Sequence, residues 1–259
     1  MRASLLKIGE TGRKLPNGYS NNTSRNKYQK VTSEEVQMKI LGINGSPRGT
    51  NSRTLKLVEA VLEGAKKQGA ETELVDLCTL DIQYCIGCEV CYAEGTCIQE
   101  DDLADLWDKI LSSDGLVLGS PVYFSVVTAQ LKTMIDRLAN AVHCQMLSGK
   151  YGCAVTTAGA RGDKDVLHYM NYFLNQLGVL TVGEVGAVIG VGNPEVLDSA
   201  VGSAFAMGQT LAEAIKTKRR YPDQERAISE RGEFFRQLIV ENKDAWSYQY
   251  EYLMDKGWV

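Results

Sequence analysis

The stretch Lys39-Ile40-Leu41-Gly42-Ile43-Asn44-Gly45-Ser46-Pro47-Arg48-Gly49-Thr50-Asn51-Ser52 decides how the rest of the chain is read. Residues 39–43 are a short β-leaning run, and Asn44 to Pro47 form a breaker cluster. Leu55, Val58, Leu62 and Ala65 then recur on one helical face. A strand, a tight loop and an amphipathic helix make the opening unit of an α/β sheet.

The same alternation continues outward. Residues 72–77, 116–118, 151–155 and 179–191 read as further strands. Between them lie helical stripes: Leu103, Leu106, Trp107, Ile110 and Leu111; Val127, Leu131, Met134, Leu138 and Val142; and Val166, Met170, Phe173 and Leu177. Two more helical segments follow, at about 194–216 and 223–242. Five alternations predict an α/β, doubly wound, five-stranded parallel sheet with helices on both faces. Ligands of such sheets bind at the carboxyl ends of the strands. The breaker clusters at 44–52, 119–125 and 156–162 all follow strands and are expected to converge on that edge.

The 259 residues carry 28 Lys/Arg against 32 Asp/Glu. The first 37 hold seven basic and three acidic residues, which leaves 21 against 29 in the remainder. So acidic a body argues against nucleic acid as a partner, because phosphate neutralisation needs basic groups. No apolar run approaches the ~20 residues of a membrane span, and residues 4–8 are too short for a signal-peptide apolar region. A cytoplasmic protein is expected. Residues 1–37 have too little apolar surface to offset ordering entropy and read as a polar arm, residues 38–218 as the α/β domain and residues 219–259 as a helical, aromatic-rich extension.

The first loop offers free amides at a helix N-terminus together with Ser and Thr hydroxyls, a favourable setting for a phosphate. It lacks the Gly-Lys-Ser/Thr of a nucleotide-hydrolysing loop and the GxGxxG of a dinucleotide site, so a monoester phosphate suits it better. A plain N-cap made by Asn51 or Ser52 is the competing reading. After the third strand, Ser120-Pro121-Val122-Tyr123-Phe124-Ser125 provides aromatics and backbone amides for a planar heterocycle; otherwise it is a Pro turn with two core aromatics. Thr156-Thr157-Ala158-Gly159-Ala160 closes the far side.

Taken together, Gly45-Ser46-Pro47-Arg48, Ser120-Pro121-Val122-Tyr123-Phe124, Gln130-Leu131-Lys132 and Ile135-Asp136-Arg137 resemble the flavodoxin-like NAD(P)H-dependent FMN reductase superfamily over about residues 38–191. The resemblance implies a flavodoxin-like sheet holding FMN. Its phosphate would sit on Ser46, Arg48, Asn51, Ser52 and Thr54. Its ring would meet Pro121, Val122, Tyr123 and Phe124, with Thr157 and Gly159 alongside. Ala160-Arg161-Gly162 departs from the run of glycines many members carry.

Four of seven cysteines fall in Cys85-Ile86-Gly87-Cys88-Glu89-Val90-Cys91-Tyr92-Ala93-Glu94-Gly95-Thr96-Cys97, with gaps of two, two and five. Three closely spaced thiolates in a compact loop suit an iron–sulfur cluster, and Gly87 and Gly95 give the backbone freedom to wrap one. The spacing is not the ferredoxin run. It is similar to the cysteine motif of the iron–sulfur flavoproteins, a branch of the same superfamily, at the same place in the chain. That resemblance implies a [4Fe-4S] cluster on Cys85, Cys88, Cys91 and Cys97. A bare redox-active thiol set and a tetrahedral zinc site remain open.

His143 and His168, far apart, read as helix-face residues. Cys78, Cys144 and Cys153 read as buried small hydrophobes, Glu100-Asp101-Asp102 as helix N-terminal charge, and the aromatic cluster 246–258 as a surface packed on the body or another subunit. No catalytic acid or base stands out. The expected function is an FMN-dependent oxidoreductase or electron-transfer protein passing electrons between cluster and flavin, with ferredoxin or NAD(P)H as redox partner or substrate. The alternatives are an NAD(P)H-dependent FMN or quinone reductase without a cluster, and a zinc-knuckled scaffold. The resemblance also implies a homo-oligomer, dimer or tetramer, with cross-interface sites.

Overall fold

The computed structural model describes residues 37–190 and 194–259. Most of the polar arm therefore lies outside the described residues. The sheet strands are β1 (Lys39–Asn44), β2 (Glu71–Asp76), β3 (Gly115–Pro121), β4 (Tyr151–Ala158) and β5 (Leu180–Val188). They run in the order β2-β1-β3-β4-β5, every pair parallel. The chain leaves β1 for β2 on one side and reaches β3 on the other, so strand order switches between β1 and β3. There Asn44 pairs with Gly119, and one strand further on Ser120 pairs with Thr156.

The central strands are apolar on both faces: β4 is buried along its whole length and β1 beyond its first residue. Helices therefore cover both sides. Helices α1 (Arg53–Lys67) and α7 (Pro194–Thr217) close one face over Ile40, Val117 and Val155. Helices α3 (Leu103–Ser112), α4 (Ala129–Asp136) and α6 (Asp163–Gln176) close the other over Leu41, Leu116 and Ala154. Between β2 and α3 lies a long loop with the short helix α2 (Val90–Glu94). Past α4 come α5 (Ala139–His143) and, after the sheet, α8 (Pro222–Glu241) and α9 (Ser247–Asp255). Among the described residues no helix is long and apolar enough to cross a membrane.

Two details differ from the sequence reading. The stripe from Val127 to Val142 is two helices, α4 and α5, separated where Arg137 and Leu138 donate to carbonyls three residues back. The aromatic C-terminus, unassigned by periodicity, contains a helix, α9.

Helices α1 and α7 touch through glycine. A Cβ on Gly208 would lie 1.9 Å from the Val61 carbonyl oxygen, and one on Gly64 would lie 2.0 Å from that of Phe205. These clashes involve backbone, so only movement of a whole helix relieves them. Gly208→Ala is expected to cost about 3 kcal/mol, read as a lower midpoint in denaturant titration; a loss under about 0.5 kcal/mol would show the helices are not held this close.

Candidate functional site

The three breaker loops meet at the switch between β1 and β3. Gly45 donates its N–H to the Gly119 carbonyl at 2.7 Å, and the Thr128 hydroxyl donates to the Gly45 carbonyl at 2.5 Å. Val122 donates its N–H to the Thr157 carbonyl at 2.9 Å. The hydroxyls of Thr54 and Thr157, 103 residues apart, lie 2.6 Å from each other. Nine of the eleven residues singled out for the strand tips line a single cleft: Ser46, Arg48, Ser52, Thr54, Pro121, Val122, Tyr123, Thr157 and Gly159. Arg53 and Ile189 join them. Asn51 and Phe124 do not line it.

Ser52 is the N-cap of α1: its hydroxyl accepts the Leu55 N–H at 3.1 Å. The capping oxygen still has its own proton to donate, so capping and anion binding are compatible. Asn51 closes the 3-10 turn Gly49–Asn51 and is exposed. The positive end of α1, two arginines and three hydroxyls thus face one end of the cleft. Pro121, Val122 and Tyr123 line the cleft as well.

Phe124 stands fully exposed at the tip of a two-residue hairpin. Tyr123 and Val126 exchange both backbone hydrogen bonds across it. Phe124 and Ser125 adopt φ of 50° and 65°, a conformation that favours Asn-Gly and strains bulkier side chains.

The four clustered cysteines line a second pocket together. Cys85 and Cys88 are exposed, Cys91 and Cys97 half-buried. Left-handed backbone at Gly87, Glu89 and Gly95 wraps the loop, as the two glycines led one to expect. Among the described residues, no three His, Cys, Asp or Glu side chains are placed to hold one metal ion. Burial, then the negative charge of Cys97, Cys88 and Cys85 as thiolates, pushes the Cys91 thiol up to about 11. A larger cavity of about 330 Å³ lies behind this loop, against Cys91, Cys97, Trp107 and Met146.

Two anchors hold the loop. Buried Arg137, at the end of α4, forms a bidentate pair with buried Asp101: NH1 lies 2.5 Å from Oδ2 and NH2 3.2 Å from Oδ1. NH1 also donates to the Gln83 carbonyl at 2.7 Å. Asp101 accepts the N–H groups of Gln83 and Leu103. The expected helix N-terminal charge is found in part, since its Oδ1 accepts the Leu103 N–H, but the side chain is buried and serves as the hinge pin of the loop. The acidic run flanking the motif was its only signal in the sequence. Burial opposes ionisation of Asp101, but the bonds from Arg137 and two amides hold its carboxyl below the usual range.

The second anchor is the aromatic tail. Tyr248 packs on Gly95 and Ser247 donates to the Ala93 carbonyl. Trp246 meets Tyr92 edge-on at 5.0 Å. Buried Gln249 donates to Asn140, whose amide reaches the Gly95 carbonyl. His143 stacks between Tyr92 and Phe235, and burial lowers its pKa; it is a packing group, while His168 lies beside Tyr172. Cys144 and Cys153 are buried as expected. Cys78 is exposed, because it sits in the 3-10 turn Leu77–Thr79 beside Gly49 rather than in the core.

Residues 38–193 match the NADPH-dependent FMN reductase family. An iron-sulfur flavoprotein of Archaeoglobus fulgidus is 36% identical over 227 residues, covering 86% of this chain and 100% of the relative. One of Methanocaldococcus jannaschii is 33% identical, covering 69% and 98%. Among solved structures, NAD(P)H:quinone oxidoreductase from Methanothermobacter marburgensis aligns with a TM-score of 0.55 at 17% identity, over 68% of this chain and 96% of its own. At that identity it shows the fold alone.

Two outcomes follow from this geometry. Asp101→Asn leaves Arg137 buried without a counter-charge, at a cost of about 3–5 kcal/mol. The wild-type contribution is present above the unfolded carboxyl pKa of about 3.9 and is lost as pH falls through the lower folded value. The difference between wild type and Asp101→Asn in urea titrations therefore shrinks below about pH 4; a constant difference down to pH 2 would contradict the pairing. Gly95→Ala puts a Cβ 2.4 Å from the Tyr248 ring at φ of 79°. It is expected to detach α9, red-shifting tryptophan emission and costing about 2 kcal/mol; an unshifted spectrum would count against the anchor.

Proposed function

The chain belongs to the NADPH-dependent FMN reductase family, in its iron-sulfur flavoprotein branch, and on that premise we propose how this FMN-binding, flavin-dependent oxidoreductase works. Electrons pass between FMN in the strand-tip cleft and a [4Fe-4S] cluster held by Cys85, Cys88, Cys91 and Cys97. The observation that carries the reading is that nine residues from three separate loops line one cleft while all four cysteines line another.

In the cleft, Ser46, Arg48, Ser52 and Thr54 bind the phosphate at the N-terminus of α1. Pro121, Val122, Tyr123, Thr157 and Gly159 hold the ring, and the Thr54–Thr157 contact fixes the two ends relative to each other. FMN supplies the chemistry: it accepts a hydride or single electrons, whereas a cluster moves one electron at a time. The donor set on the cysteine loop fits a cluster better than a zinc ion. Zinc commonly takes histidine beside cysteine, and no histidine lines this pocket. A cluster is bound by thiolates spread around a larger body.

Helix α4 runs between the two sites. Thr128 touches the phosphate loop and Arg137 the cysteine loop, about 14 Å of helix apart at 1.5 Å per residue. Phe124, Tyr123 and Val126 are exposed beside the cleft; Tyr84, Ile86 and Ile98 are exposed on the cysteine loop. Both patches suit burial against a second copy, so a dimer or tetramer would set one chain's cleft against another's cysteines. The redox partner is NAD(P)H or ferredoxin, and the compartment is the cytoplasm. Residues 38–218 form the FMN domain, and 219–259 its helical extension. A reductase that uses NAD(P)H without a cluster is the second reading; exposure of Cys85 and Cys88 favours it.

Anaerobic purification with iron, sulfide, zinc and flavin quantified decides between them. About four irons and one FMN per chain are expected, and Cys88→Ser is expected to lose the iron while keeping FMN. Unchanged iron in that variant, or FMN without iron in the wild type, would overturn the cluster assignment. Ser52→Ala is expected to weaken FMN binding about tenfold, the value of one hydrogen bond to a charged group, in a fluorescence titration of the apoprotein.

A further inference from the structure

Arg137 lines both cavities that flank the cysteine loop, and so do Cys91 and Cys97. Its side chain is 1% exposed. The two terminal nitrogens are occupied by Asp101 and Gln83, but Nε, equally buried, has no hydrogen-bond partner. A buried guanidinium N–H left unpaired costs free energy unless something else completes it. No lysine or second arginine lines either cavity.

We propose that Arg137 tunes the cysteine-bound centre: Asp101 and Gln83 fix the guanidinium so that its unpaired Nε–H and its positive charge bear on the Cys97 sulfur, raising the potential at which the centre accepts an electron. The inference rests on the cluster reading above. Reduction adds one negative charge to the centre without a chemical bond being made or broken. A fixed cation and a donated hydrogen bond at a ligating sulfur stabilise that extra charge more than the oxidised form. Asp101 partly offsets the cation, but its oxygens meet the terminal nitrogens, leaving Nε unshielded. Lysine would not substitute, because one ammonium cannot hold Asp101 bidentately and present a further planar donor. Arg137 is therefore a positioning residue rather than a catalytic one.

The test is a redox titration of anaerobic holoprotein followed by low-temperature EPR, with iron and FMN counted in each sample. Arg137→Gln combined with Asp101→Asn swaps a neutral ion pair for a neutral amide pair and leaves no buried charge unpaired. It is expected to keep its iron and to shift the reduction equilibrium about tenfold against the reduced cluster, 59 mV lower for one electron. Arg137→Lys is expected to shift it in the same direction by less. FMN's own potential serves as the internal control and stays near the wild-type value. An unchanged cluster potential with iron retained overturns the proposal. Loss of iron from both variants with FMN retained also overturns it, since Arg137 would then be a brace only. Zinc or no metal in the wild type instead overturns the cluster reading, and this inference falls with it.

Discussion

Helix α4 is the strut on which both halves of the site depend. At its start, the Thr128 hydroxyl bonds the Gly45 carbonyl and its N–H bonds the Ser120 hydroxyl, tying the first and second loops together. Just past its end, Arg137 grips Asp101 and Gln83 and so fixes where the cysteine loop begins and ends. The distance between strand tips and cysteines is therefore set by rigid helix. Electron transfer falls steeply with distance, so the length of this strut bears directly on how well the two sites can couple.

The two ends of the strut are built differently, in keeping with their cargo. The strand-tip cleft is made by backbone and hydroxyls on parallel strands, where a doubly wound sheet leaves its loops free at the order switch. The cysteine loop has almost no regular structure of its own and is stabilised from outside. A buried ion pair holds one side, and α9 holds the other through Tyr248, Trp246 and Gln249. An exposed loop carrying two exposed thiols needs such support, because its own apolar contacts are few. The aromatic tail thus acts as a clasp on the cysteine loop.

Much of this was legible in the chain. Periodicity located the strands: β3 and β4, buried between the helices, read as apolar runs, while β2, mostly exposed, read only as a short β-leaning stretch. Convergence of the three loops followed from topology alone. The supporting shell was not legible. Asp101 and Arg137 are 36 residues apart, and neither residue type signals burial by itself. The split between α4 and α5 was invisible because the apolar stripe runs unbroken from Val127 to Val142. The resemblance implied Phe124 against the ring; a two-residue hairpin leaves its side chain exposed and outside the lining of the cleft. Asn51 read as a phosphate contact, but the short 3-10 turn rotates it to the surface. Cys78 read as core because apolar Leu77 adjoins it, although the chain has already left β2.

Crystals of the anaerobically purified protein, with diffraction recorded on either side of the iron absorption edge, show where iron and flavin sit. Iron anomalous density enclosed by Cys85, Cys88, Cys91 and Cys97, and FMN density in the cleft between Ser46 and Thr157, are expected. Density that peaks instead at the zinc edge, or a flavin bound away from the strand tips, would contradict that expectation.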